Sequence, residues 1–141
     1  MTAQLSVANV KVGDQLPGFT MTFTRADLAA YAQASGDMNP IHRDEAFARS
    51  VGLPDVIAHG MLTMGRAIKV VTDWVANPTA VLDYSVRMTR PVVVPESAGV
   101  EVTFGGQVAD INSDGTVRID LFAIFEGQTV LGQARALVRL G

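Results

Sequence analysis

The stretch "GMLTMGRAIKVVTDWV", residues 60–75, decides the fold. Met61, Met64, Ile68, Val71 and Val75 recur at spacings of three and four, the period of one helical face. One helix is therefore expected over 60–75, with that stripe in the core. Methionines at this spacing read as packing rather than as a cofactor site. Gly60 and Gly65 lack a Cβ and would let another element approach closely. Arg66 and Lys69 are out of place on a buried helix, and their long stems would carry the charges to solvent.

Beyond "NPTA" (77–80) the pattern changes from helical to extended. "AVLDYSVRM" reads as a strand, and the prolines of "RPVVVPESAG" confine any strand there to an end or an edge. "VEVTF" alternates, and Gly105-Gly106 suggests a bulge or bend before "QVADI". "NSDG" suits a hairpin loop. In "TVRIDLFAIFEG" the residues Val117, Ile119, Leu121, Ala123 and Phe125 share one face. In the last strand Val130, Gly132, Ala134, Ala136, Val138 and Leu140 share a face, opposite Gln133, Arg135 and Arg139. Its small residues would make room for a helix lying on the sheet.

Upstream, a short alternating stretch runs from Phe19 to Phe23, after the Gly-Asp turn of "VKVGDQL". Thr24 suits an N-cap with Asp27 at N3, for a helix that carries Leu28 and Tyr31 and ends near Ser35-Gly36. A second short helix is expected from about Asp44 to Gly52, with "LPDVIAHG" as a loop. A long helix set before a run of antiparallel strands makes an α+β domain, with a curved sheet wrapped around the helix. Neither repeats nor an internal linker interrupt residues 1–141, so one domain is expected.

Composition narrows the function. Of 141 residues, 48% are hydrophobic and 18% charged, which excludes a disordered chain. A net charge of −3 without a Lys/Arg cluster argues against nucleic acid as a partner. The absence of cysteine removes disulfide scaffolds, thiolate metal sites and cysteine nucleophiles. The N-terminal residues lack the basic start and apolar run of a signal peptide, and no apolar run is long enough to span a membrane. A soluble cytoplasmic domain is the expectation.

The two histidines lie seventeen residues apart, His42 in "SGDMNPIHRD" (35–44) and His59 in "IAHGMLTMG" (57–65). Asp37 and His42 flank a proline-containing turn into which Asn39 fits. An acid and an imidazole together can hold a water and move protons near neutral pH. His59-Gly60 immediately precedes the helix, whose first amides suit a carbonyl oxygen gaining negative charge. Other readings stay open at this point: Asp37 as a turn residue, His42 as an internally satisfied histidine, or Asp37, His42 and His59 as metal ligands. Their spacing differs from that of H-E-x-x-H.

"SGDMNPIHRDEAFARSVGLPDVIAHGMLTMG" resembles the hydratase-2 motif of the MaoC-like (R)-specific enoyl-thioester hydratases and dehydratases. "VKVGDQLP", "IAHGMLTMG" and "VTDWV" give a closer likeness to the catalytic B-type subunits of actinobacterial (3R)-hydroxyacyl-carrier-protein dehydratases. The resemblance implies a hot-dog fold and a hydro-lyase acting on acyl thioesters of carrier protein or CoA. It places Asp37 and His42 as the catalytic pair and the Gly60 amide as oxyanion donor, with Asn39 and His59 expected against the substrate. It calls for no metal or other cofactor, and implies a homodimer or a heterodimer with a related hot-dog subunit. Two alternatives go with it: a homodimeric (R)-specific enoyl-CoA hydratase, and an acyl-binding subunit without chemistry of its own. Arg66 and Lys69 could then meet a phosphopantetheine arm or a partner.

Overall fold

The computed structural model describes residues 5–140. Strand β1 (Gln15–Phe23) leads into α1 (Arg25–Ser35), α2 (Glu45–Ser50), α3 (Gly60–Ala67) and α4 (Lys69–Val75). The strands β2 (Val81–Met88), β3 (Val100–Ile111), β4 (Thr116–Phe125), β5 (Gln128–Thr129) and β6 (Leu131–Arg139) follow. They form one antiparallel sheet in the order β1-β3-β4-β6-β2, with β5 paired to β4. This is the expected α+β architecture of a sheet curled around a helix. Among the described residues no helix is long and apolar enough to cross a membrane.

Local chemistry sets the first two helices. Thr24 closes a full capping box: its hydroxyl accepts from the Asp27 amide, and the Asp27 carboxylate accepts from the Thr24 amide. Gly36 ends α1 in the left-handed region at φ 79°. Asp44 caps α2 by accepting from the Phe47 amide. Arg25 then ties the start of α1 to the loop beyond α2, donating to the Asp55 carboxylate and the Val94 carbonyl at 2.7 and 2.6 Å.

The single helix expected over 60–75 is interrupted at Ile68. The Met64 carbonyl receives the Ile68 amide at 3.3 Å and the Tyr84 hydroxyl at 2.7 Å, while Val71 donates only three residues back, to Ile68. The Tyr84 hydroxyl shares the Met64 carbonyl with the ladder, and the bond from Val71 three residues back marks the interruption. The expected core stripe is met in part: Val71 is buried and Ile68 and Val75 pack half-buried against the core, but the other buried residues are Leu62, Thr63, Ala67 and Val70, and Met61 is 60% exposed. The segment is apolar on two faces, and periodicity alone does not say which one the sheet covers.

The α3–α4 pair lies on the concave side of the sheet, α3 against β4 and α4 against β1 and β3. Val117, Ile119, Leu121, Ala123 and Phe125 of β4 are all buried, as their alternation predicts. Full burial of each branched or aromatic side chain contributes about 1.5–3 kcal/mol relative to exposure. The β3–β4 hairpin turns at Asn112–Gly115, where the Asp114 carboxylate accepts from both the amide and the hydroxyl of Thr116.

Two strand details refine the expectation. The β3–β4 register runs through Gly105-Gly106 unbroken, but the β1–β3 register shifts between the pairs Leu16–Gly106 and Phe19–Phe104, so the expected bulge lies opposite Gly105 on the β1 side. Gly105 also serves closeness: a Cβ there would lie 2.1 Å from the Phe122 ring, which crosses the strand. In β6 the inward face is Leu131, Ala134, Ala136 and Val138, not Gly132. Gln133, at φ 46°, sits at a register shift against β2, and the extra residue moves the alternation by one.

Candidate active site

Asp37, His42 and Gly60 converge because three segments are stitched together by their backbones. A one-turn 3-10 helix, Pro40–His42, is fixed at its start by the Asn39 side chain accepting from the Ile41 amide. The Ile57 amide donates to the Ile41 carbonyl, and Ala58 and Val94 donate across to Val92 and Val56. The loop before α3 is thereby held between the His42 turn and the 92–94 segment.

The carboxylate of Asp37 is divided between two tasks. Its Oδ1 accepts from the Asn39 amide at 3.1 Å, which makes the turn. Its Oδ2 faces His42 Nε2 across 4.0 Å. The turn reading and the reactive reading of Asp37 are therefore compatible. A gap of 4.0 Å is too long for a direct hydrogen bond and admits an oxygen atom bonded to both groups.

His42 is 8% exposed, and its Nδ1 lies 2.7 Å from the Ile57 carbonyl. A carbonyl only accepts, so Nδ1 carries the proton and Nε2 presents a lone pair on the side of Asp37. An internally satisfied ring and a reactive one are here the same ring.

Next to it is a cleft of about 340 Å³ whose wall includes His42, Ile57, Gly60, Thr63, Met88 and Arg90. Gly60 opens α3, where the first amides have no carbonyl one turn back to receive them. A Cβ on Gly60 would lie 3.0 Å from Met88 Sδ, so the glycine lets the backbone come up to the wall. Gly65 has nothing among the described residues within 4 Å of its would-be Cβ. Asp37 stands beside the cleft rather than in its wall, with its side chain 47% exposed.

Asn39 and His59, expected against the substrate, do not line the cleft in this chain: Asn39 spends its side-chain oxygen on its own turn, and His59, 1% exposed, lies behind His42. His59 donates from Nε2 to the Asp37 carbonyl at 3.2 Å, and its ring stacks on His42 with centroids 3.9 Å apart. The Tyr31 and His59 rings meet at an interplanar angle of 65°, with centroids 4.7 Å apart. Burial holds His59 below the ordinary histidine pKa; the bond to the Asp37 carbonyl opposes this, and the neighbouring His42 adds to it.

The donor atoms of Asp37, His42 and His59 lie within 4.8 Å of one another, so the metal reading is testable on geometry. An imidazole binds an ion in its own plane at about 2.0–2.1 Å. The two rings are stacked with planes only 25° apart, so an ion in the plane of one lies well outside that of the other. His59 Nε2 is also occupied by a carbonyl. The three residues do not fit a common ion.

The sequence reading missed Thr63, Met88 and Arg90 in the cleft wall, and Tyr31 as a neighbour of His59. A cation placed just before Pro91 in an apolar segment was the available signal for Arg90. Arg66 and Lys69 are exposed, as read, and Lys69 pairs with Asp73 one turn on.

The family model of the MaoC-like domain matches residues 9–122. The chain is 39% identical over 89 residues to the 3-hydroxyacyl-thioester dehydratase X of Mycobacterium tuberculosis, covering 63% of this chain and 31% of that protein. It spans about a third of the length of the first curated relatives it matches. A solved MaoC-like dehydratase superposes at TM-score 0.93 with 41% identity, over 96% of this chain and 42% of the other. The (R)-hydratase of A. caviae involved in PHA biosynthesis superposes at 0.82 with 27% identity, over 94% and 98%. With the family model covering most of its length and the same curled sheet in both structures, this chain belongs to the MaoC-like domain family.

Proposed function

We propose that the chain is a (3R)-hydroxyacyl-thioester dehydratase, equally an (R)-specific enoyl-thioester hydratase, with Asp37 and His42 as its reactive pair. One observation carries the reading. A histidine locked with its Nε2 lone pair outward faces a carboxylate oxygen across a one-atom gap, beside a cleft that also holds the first amide of a helix.

The chemistry follows from that arrangement. His42 Nε2 takes the α-proton of the bound thioester, and the Gly60 amide donates to the thioester oxygen as it becomes an enolate. The enolate collapses, a Cα–Cβ double bond forms and the bond to the 3-oxygen breaks. The departing hydroxyl is held by Asp37 Oδ2 and receives the proton that His42 took, so one water leaves and both groups return to their starting states. Hydration runs the same steps backwards, with a water in the gap between Asp37 and His42.

The carrier is proposed to be acyl carrier protein, in a type II, mycolic-acid-type elongation, on the strength of the B-subunit-like segments of the sequence. The working unit is proposed to be a dimer of hot-dog domains, with itself or with a related subunit. The half-exposed Asp37 and the exposed Met61, Leu82 and Met88 support this, because they leave the cleft side of α3 and the β2 edge uncovered. The test is turnover of one enoyl chain presented on CoA and on carrier protein, by this chain alone and with a candidate partner. Hydration faster on carrier protein is the expected result. Faster turnover on CoA by the chain alone would favour the homodimeric enoyl-CoA hydratase instead, and release of free thiol would point to thioester hydrolysis.

A further inference from the structure

His59 is a buried titratable group that these steps leave unused. Its surroundings are the Asp37 carbonyl at Nε2, the His42 ring on one face, and the Tyr31 ring. Its Nδ1 is buried with no hydrogen-bond partner among the described residues. It thus touches both members of the proposed pair, through the backbone of one and the ring of the other, while staying out of the cleft.

We infer that His59 is a positioning residue that fixes Asp37 against His42, acting as the neutral Nε2–H tautomer. This rests on the functional reading above for its catalytic consequence, though not for its structural content. The tautomer follows from the partners. A carbonyl at Nε2 requires a proton there, and a proton added at Nδ1 would be a buried donor with no acceptor among the described residues. Neutrality also suits the stack. When His42 becomes an imidazolium in turnover, a neutral ring at 3.9 Å can face it, whereas a second imidazolium would repel it. The charged or titratable groups around His59 are Asp37, His42 and Tyr31; burial favours the neutral form and the Asp37 charge opposes it.

Two variants separate the contacts. His59→Phe keeps the stacked ring and loses the hydrogen bond. His59→Gln places an amide N–H near the position of Nε2 and loses the ring. With Asp37 free to drift, His59→Phe should lower kcat about 10²-fold, the usual scale for an ångström of misplacement, with KM changed less than threefold. His59→Gln should recover at least about tenfold of that loss. A raised KM at unchanged kcat would mean direct substrate contact and overturn the proposal, as would kcat within threefold of the parent in both variants.

A second measurement needs no turnover. Nitrogen-15 NMR of the imidazoles in the full chain at pH 6.5 should show His59 as neutral Nε2–H, and His59→Phe should shift the His42 ring signals. A protonated or Nδ1–H His59, or unmoved His42 signals, would overturn the positioning role. If the NMR result is as expected but the parent hydrates no thioester, the proposed function fails and the positioning role stands.

Discussion

The Tyr84 hydroxyl donates to the Met64 carbonyl across 2.7 Å and so fastens the edge strand β2 to the middle of the helical segment. The carbonyl lies one turn before Ile68, where α3 gives way to α4, so this bond seats the strand beside the junction of the two helices. Burial raises the Tyr84 pKa.

Tyr84→Phe should therefore destabilise the fold by about 0.5–1.5 kcal/mol, the usual net value of one hydrogen bond, with the amide of Ile68 still serving the carbonyl. Urea denaturation at neutral pH checks this. Because the folded phenol holds its proton past the value at which the unfolded one loses it, parent stability should fall as pH rises above about 10. The Phe variant should lack that component.

Asp37→Asn and His42→Ala should each lower turnover of an enoyl or 3-hydroxyacyl thioester by about 10²–10⁴-fold, the range for groups that move protons. Circular dichroism should show both variants folded; Asp37→Asn should change thermal unfolding little, whereas His42→Ala should lower the midpoint, because a buried ring is lost and the Ile57 carbonyl loses its donor. Near-parental rates in both variants would remove the pair from the reaction.

Much of this site was legible in the sequence, and the illegible part has a physical reason. Thr24, Asp27 and Gly36 act through bonds within four residues, and β4 has one buried face, so caps and alternation could be read directly. The inward face of the helical segment could not, because Met61, Met64 and Ile68 offer as good a stripe as Leu62, Ala67 and Val70. Tertiary contact chose between them. Asp37 and His42 were visible because one short turn carries both. The stacking of His59 between His42 and Tyr31 was not, because it depends on how three separate segments pack.

Activity should survive exhaustive dialysis against a chelator. The stacked rings of His42 and His59 do not direct their nitrogens to one point, and the proposed proton transfers use protein groups alone. Loss of turnover that zinc or ferrous ion restores would contradict this.

Stability should fall as pH is lowered through about 6.5. The His59 pKa is lower in the folded chain than in the unfolded one, so below the unfolded value the unfolded state binds the extra proton. The contribution of His59 is present above that pH and is lost progressively on acidification towards its folded pKa. Thermal unfolding of the parent and of His59→Gln from pH 7.5 to 5.5 isolates it from other titrating groups. The difference between the two proteins should narrow at the acid end.

Gly65 provides a test of the proposed dimer that leaves the subunit fold alone. It lies on α3, exposed, with nothing among the described residues within 4 Å of a would-be Cβ, on a helix whose Met61 is 60% exposed. Exchanging it for alanine in a lone chain should stabilise the helix by up to about 1 kcal/mol, since glycine is the poorer helix former. A leucine there starts from an exposed position whose Cβ meets nothing within 4 Å among the described residues, so it need not disturb the lone chain. In a dimer built on this helical face, close packing leaves no space for an isobutyl group, and overpacking typically costs about 1–3 kcal/mol at each copy. Gly65→Leu should thus remain folded by circular dichroism while light scattering at micromolar concentration shifts from dimer towards monomer. Turnover should fall in step with the loss of dimer and recover at higher protein concentration. A Gly65→Leu protein that stays dimeric with full turnover would place the interface elsewhere, and a monomeric parent with full turnover would require the cleft to be complete within one chain.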